Sequence, residues 1–144
     1  GDRAPPSQPP KATRFRHRVL LVEDNVVNQT VGRLILQSTG CSVRIAADGN
    51  RAVAALAAEE FDLVLMDLHM PDMDGFDATR AIRAEERTTG RPAVPIVALS
   101  ASVLPEDQEK CLDVGMNGHL AKPISRPELE NLLRGIPARS PVQG

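Results

Sequence analysis

The chain has no tryptophan, no tyrosine and only three phenylalanines among its 144 residues, so any core it builds must be mostly aliphatic. Charge of one sign is also missing. The formal net charge is −2, which argues against a nucleic-acid surface and against attraction to anionic membranes. No apolar run approaches the ~20 residues that a membrane-spanning helix needs, and no secretory apolar segment stands at the start. Only two cysteines occur, Cys41 and Cys111, far apart and without CxxC or Cys/His spacing. Two buried thiols in a reducing compartment are expected rather than a disulfide or a metal site. Neither GxxxxGK[ST] nor GxGxxG is present, so nothing supports the cradling of a nucleotide. There is no internal repeat.

What is present amounts to one domain. With 42% hydrophobic and 25% charged residues the chain can bury a core and stay in solution. Residues 1–11 are rich in proline and small polar residues and read as part of a flexible linker over 1–15. The first residue is not methionine, so a piece of a longer protein is expected. The basic group Arg14, Arg16, His17 and Arg18 is expected to be a solvated boundary, with His17 exposed. Residues 16–136 form the predicted domain and 137–144 a flexible tail.

Within the domain, short apolar runs alternate with helical spacing. Val19–Val22 reads as a buried strand followed by Glu23-Asp24-Asn25. A helix follows with Val27, Val31, Leu34 and Ile35 on one face, stopped by Gly40. Val43–Ala46 is a second strand, Asp48-Gly49 a turn, and an alanine-rich helix runs from about Asn50 to Ala58. Leu63–Met66 is a third strand ending on Asp67. Pro71 and Gly75 interrupt the chain, with Asp72 and Asp74 as turn formers, before a helix to about Glu86 with Ala78, Ala81 and Ile82 inward. A loop from Thr88 to Pro95 leads to a fourth strand, Ile96–Leu99, ending at Ser100. A weaker helix spans about Leu104 to Gly115. Gly118–Ala121 is a fifth strand ending at Lys122-Pro123. Ser125 and Glu128 make a capping box for a last helix carrying Leu129, Leu132 and Leu133. Strands alternating with crossover helices predict an α/β fold, a parallel sheet with helices on both faces.

The chemistry lies at the strand ends. In such sheets ligands bind beyond the carboxyl ends of the strands. Strand one supplies Glu23 and Asp24, strand three Asp67, strand four Ser100 and strand five Lys122. Three neighbouring carboxylates repel, and either raise one another's pKa values or recruit a cation. An all-oxygen set with open water positions suits Mg²⁺, which commonly serves phosphoryl chemistry. A carboxylate can itself be the nucleophile and form an aspartyl phosphate. Lys122 could neutralise the oxygens of the transferred group and Ser100 could donate a hydrogen bond to it.

These residues resemble the receiver domain of two-component response regulators over about Arg16 to Ile136. The similarity is carried by Val22-Glu23-Asp24-Asn25, Met66-Asp67, Met70-Pro71, Asp74-Gly75, Ser100-Ala101 and Lys122-Pro123. It implies a doubly wound five-stranded sheet in order 2-1-3-4-5, flavodoxin-like, with five helices. It further implies Asp67 as phospho-acceptor and a Mg²⁺ site of Glu23, Asp24, Asp67 and the backbone carbonyl of His69. Lys122 would bind the phosphoryl group, Ser100 would be the switch hydroxyl, and a cis peptide is expected between Lys122 and Pro123. The run from Glu23 to Gln29 looks like receivers attached to hybrid sensor histidine kinases. The implied partner is a histidine kinase or a histidine phosphotransfer domain, with a monomer favoured, no nucleic acid, no direct membrane contact and a cytoplasmic location. Two positions depart from the usual pattern. His119 stands where the switch aromatic is usually Tyr or Phe, and His69 stands two residues after the acceptor. An aspartate-nucleophile phosphatase of the dehalogenase type is a competing reading, but it would want an acid where His69 sits. A receiver fold kept only as an interaction module is a third.

Overall fold

The computed structural model describes residues 15–71, 73–101 and 104–138. The proline-rich start, Arg14, Asp72 and most of the predicted tail lie outside the described residues. Ten elements follow one another: β1 (Arg18–Val22), α1 (Val26–Ser38), β2 (Ser42–Ala46), α2 (Gly49–Ala58), β3 (Leu63–Asp67), α3 (Gly75–Thr89), β4 (Ile96–Ser100), α4 (Pro105–Val114), β5 (Gly118–Ala121) and α5 (Arg126–Arg134). All strand pairs are parallel, in the order β2-β1-β3-β4-β5. This is the doubly wound sheet expected from the alternation of strands and helices.

The central strands β3 and β4 are buried along their whole length, as a sheet covered on both faces requires. Side-chain alternation sorts them into two cores. Leu20, Val22, Val64, Met66, Ile96 and Ala98 join residues of α2, α3 and α4 on one face. Val19, Leu21, Leu63, Leu65, Val97 and Leu99 join Leu36 of α1 and Leu129 and Leu133 of α5 on the other. Both cores are mostly aliphatic, as the scarcity of aromatics demands, and the methionines Met66, Met70 and Met116 all lie in the first, with Met73 packed against it. The two thiols are buried, Cys41 in the second core and Cys111 in the first. Burial pushes both above the ordinary thiol range, with a hydrogen bond from Thr39 partly offsetting it at Cys41.

Helix starts follow local chemistry. Asn25, Asp48, Asp74 and Ser125 each accept the backbone N–H three residues on, at 3.0, 2.8, 2.9 and 3.3 Å. Asp48 and Asp74, expected as turn residues, are therefore helix caps. Helix α3 runs to Thr89, past the expected end near Glu86, because Gly90 provides the left-handed stop at φ 78°. Ala81 is only half-buried, and Thr79 and Glu86 take inward positions instead. Glu86 pairs with Arg83 at 2.8 Å, and Arg83 also donates to Gly115 O, so the end of α4 is tied to α3.

Two expectations fail. The inward face of α1 is not the Val27, Val31, Leu34 face: those side chains are 68%, 41% and 59% exposed, and Ile35 is half-buried. The helix instead rests on Gly32 and Leu36, with Gln29 half-buried one turn earlier. A Cβ at position 32 would come within 2.7 Å of Leu21 Cδ2, so a larger residue there would have to displace the Leu21 side chain. His17 is not exposed either. It is 5% exposed, its Nε2 donates to Ile136 O, and its ring lies 5.9 Å from that of Phe15. Position 17 continues the inward row of Val19 and Leu21, and the chain after α5 covers it.

Candidate functional site

The same alternation carries polar residues into the site. Glu23 extends the row of Val19 and Leu21, Asp67 that of Leu63 and Leu65, and Lys122 that of Leu120. All three therefore come off the sheet on the α1/α5 side. Glu23 and Asp67 are 2% and 3% exposed, whereas Asp24 is exposed. One carboxylate oxygen from each of the three lies within 4.8 Å of the others. Such proximity is unfavourable for like charges without a compensating cation.

Lys122 supplies part of that compensation. Its Nζ lies 3.1 Å from Glu23 Oε1 and 3.3 Å from Asp67 Oδ1. Burial works to lower the lysine pKa but is outweighed by the hydrogen bonds and charges of Glu23 and Asp67, so the net shift is upward. The ammonium is therefore charged throughout the neutral range. The peptide between Lys122 and Pro123 is cis, as expected, and Lys122 N–H donates to Ser100 O at 3.0 Å.

Asp67 is held at its base by the turn that follows. His69 N–H donates to Asp67 Oδ1 at 3.1 Å, and Gly75 N–H to Leu68 O at 3.2 Å. A Cβ at position 75 would sit 2.5 Å from Asp67 O, so only glycine lets the chain fold back this tightly over the strand end. The acids and Lys122 open into a cavity of about 490 Å³ whose apolar wall includes Leu21, Val31, Pro123 and Ile124. His69 lines it through an exposed position.

Ser100 and His119 sit apart from this cluster. Ser100 is 1% exposed but continues the row of Ile96 and Ala98 on the opposite face, and it does not line the cavity. His119 is exposed on β5, while Leu120 next to it packs into the α1/α5 core. The structure thus assembles Glu23, Asp24, Asp67 and Lys122 and leaves Ser100 and His119 at neighbouring strand positions. Asn28 and Gln29, noted above only as part of the run from Glu23 to Gln29, also join the site. Asn28 Nδ2 donates to Glu23 Oε2 at 3.4 Å and Gln29 Nε2 to Glu23 O at 2.7 Å. Their place in the first turn after the acidic pair was the available signal.

The profile of the response regulator receiver domain family matches residues 19–134. The chain belongs to this family. Among curated relatives it is similar to the sensor protein GacS of Pseudomonas syringae pv. syringae, 40% identical over 137 residues and 93% of this chain. It is similar also to hybrid signal transduction histidine kinase L of Dictyostelium discoideum, 38% identical over 120 residues and 81% of this chain. The chain spans only 15% and 7% of the length of those two relatives. Among solved structures it resembles the receiver domain of sensor histidine kinase PA1611 from Pseudomonas aeruginosa PAO1, which has a magnesium ion coordinated in its active-site cleft. That match is 46% identical with a TM-score of 0.74 and covers 84% of this chain and 97% of the other. It also resembles the receiver domain of Ssk1 from Saccharomyces cerevisiae, crystallised with the histidine phosphotransfer protein Ypd1. Here the identity is 34% and the TM-score 0.76, covering 82% of this chain and 86% of the other. Receiver membership decides against the dehalogenase-type phosphatase. Among the described residues no helix is long and apolar enough to cross a membrane.

Proposed function

We propose that this receiver domain accepts a phosphoryl group on Asp67 from a phosphohistidine of a histidine kinase or phosphotransfer domain. The observation that carries the reading is the buried Asp67 carboxylate lying within 4.8 Å of two further acids and 3.3 Å from a lysine ammonium. In the transfer, an Asp67 oxygen attacks phosphorus, the P–N bond to the imidazole breaks, and the leaving nitrogen keeps the electron pair. The donor set fits Mg²⁺: all three side chains offer oxygen, and Asp24 faces solvent, where bound water can complete the coordination. Glu23, Asp24, Asp67 and the backbone carbonyl of His69 would hold the ion, which when bound would offset the charge of the phosphoryl oxygens. Lys122, kept charged by its acidic neighbours, would turn to a phosphoryl oxygen. Ser100 would move across from the other face to donate to the phosphoryl group, and His119 would follow it inward as the switch side chain.

The partner would dock over the exposed Val27, Val31 and Leu34 of α1, since Val31 also lines the acceptor cavity. The domain over 16–136 would serve as a cytoplasmic module of a larger hybrid kinase without turnover of an independent substrate. The test is incubation with acetyl phosphate and Mg²⁺ followed by intact mass. Wild type should gain one phosphoryl group, and Asp67→Asn should gain none while keeping its circular dichroism spectrum. Full labelling of Asp67→Asn would move the acceptor elsewhere, and an unlabelled wild type would leave a pure interaction module.

A further inference from the structure

Resting on that reading of the acidic cluster as a Mg²⁺ site, we infer that Gln29 is a positioning residue that presets the geometry of the exposed ligand, Asp24. The link between β1 and α1 is only three residues long, Glu23 to Asn25. Its first residue is held at four points. Glu23 N–H donates to Ala46 O at 3.0 Å, and Oε1 meets Lys122. Oε2 accepts from Asn25 N–H at 3.1 Å and from Asn28 Nδ2. The carbonyl accepts from Gln29 Nε2 at 2.7 Å.

That last contact fixes the peptide plane joining Glu23 to Asp24. Asp24 is exposed, so its position depends on the backbone on either side. Rotation of the Glu23–Asp24 peptide is the motion through which repulsion among three carboxylates would splay the cluster. Gln29 opposes that rotation from one turn into α1, where its own N–H is already committed to the helix bond with Asn25 O at 2.9 Å. Its half-buried position on the sheet-facing side of α1 keeps the amide aimed at the β1 end. A shorter asparagine at this position would not reach, and an apolar residue would fill the space without donating. Gln29 touches no reacting group in this scheme. It acts through the Glu23 carbonyl, and its effect is on the metal affinity rather than on the transfer step.

The experiment compares wild type, Gln29→Met and Gln29→Ala with Gln37→Met, an exposed control on the same helix. Mg²⁺ affinity is read by calorimetry, and acetyl phosphate labelling is followed across a Mg²⁺ series. Both Gln29 variants lose the donor without adding charge, and Gln29→Met also keeps the side-chain length. Each should weaken Mg²⁺ binding by about three- to tenfold, the usual range for one lost hydrogen bond. The Mg²⁺ concentration giving half-maximal labelling should rise by the same factor, with the rate at saturating Mg²⁺ within about twofold of wild type. Gln37→Met should match wild type in both. If both Gln29 variants give Mg²⁺ curves superimposable on wild type, or lower the saturating rate with an unchanged half-point, the inference is overturned while the acceptor reading stands. If wild type itself neither binds Mg²⁺ nor becomes labelled, the acceptor reading fails and this inference falls with it.

Discussion

Replacing Lys122 with methionine should destabilise the metal-free protein by about 3 kcal/mol at pH 7 and by much less at pH 5. The lysine ammonium bridges Glu23 and Asp67 at 3.1 and 3.3 Å, and those carboxylate side chains are 2% and 4% exposed. At an effective dielectric constant near 20, each contact is worth about 5 kcal/mol before desolvation is counted. Desolvation takes back much of that, and removing one partner of a buried pair costs about 3–5 kcal/mol net. The loss has a ceiling. Measured from the unfolded chain, where a carboxyl group has a pKa near 4, taking up a proton at pH 7 costs about 4 kcal/mol, three pH units at about 1.4 each. At pH 5 the same escape costs only about 1.4 kcal/mol. The gap between wild type and Lys122→Met must therefore shrink as pH falls from 7 to 5, and Mg²⁺ should close part of it at pH 7 by supplying the missing positive charge.

On the alkaline side the sign follows from the raised lysine pKa. A group whose folded pKa exceeds its unfolded value stabilises in full below the unfolded value, about 10.4 for lysine. That stabilisation is lost as pH rises through the folded value, so the gap should hold from neutrality to about pH 9 and close only beyond. Without tryptophan or tyrosine, urea unfolding is best followed by far-ultraviolet circular dichroism, with EDTA or Mg²⁺ at pH 5, 7 and 9. A loss of equal size at pH 5 and 7, indifferent to Mg²⁺, would refute the electrostatic argument and leave Lys122 as a packing residue.

Two further outcomes follow from the same geometry. Asp24→Ala should weaken Mg²⁺ binding by at least about tenfold in calorimetry, while the metal-free protein becomes no less stable because a like charge has left the cluster. Joint replacement of Val27 and Val31 by serine should leave the melting temperature within about 2 °C of wild type, because both side chains are exposed. The same variant should slow labelling by a phosphorylated histidine phosphotransfer protein at least about tenfold and leave labelling by acetyl phosphate unchanged. Equal slowing with both donors would place the defect at Asp67 instead of at a docking face.

Most of the fold was legible because each strand combines a short aliphatic run with a polar residue at its end, a pattern that survives without knowledge of tertiary contacts. Leu63–Met66 is apolar on both faces because both faces are covered, and Asp67 stands out for the same reason. The acids, Ser100 and Lys122 were legible as a set because a parallel sheet brings all carboxyl ends to one edge. Alternation also separates them in a way that the linear sequence hides. Strand alternation puts Glu23, Asp67 and Lys122 on the α1/α5 face and Ser100 on the row of Ile96 and Ala98, on the other.

Helix α1 shows why periodicity misleads at such a site. Apolar residues at helical spacing mark an inward face in most helices, and Val27, Val31 and Leu34 have that spacing. The true inward line is Gln29, Gly32 and Leu36, at the same helical spacing but with an amide and a glycine in two of its three positions. The glycine is there because the backbone lies against Leu21, and the amide because the helix must reach the Glu23 carbonyl. His17 misleads for the opposite reason. Arginines on either side make it look solvated, yet alternation through Val19 and Leu21 turns it inward, and Ile136 covers it. In both cases a side chain's surroundings were set by a residue distant in the chain, Leu21 at one end of β1 and Ile136 at the other. The half-buried polar group at Gln29 and the exposed valines two positions away on either side, Val27 and Val31, are two sides of one requirement. The face that must hold the acidic loop in place cannot be apolar, so the apolar residues of α1 are left for a surface that another molecule can cover.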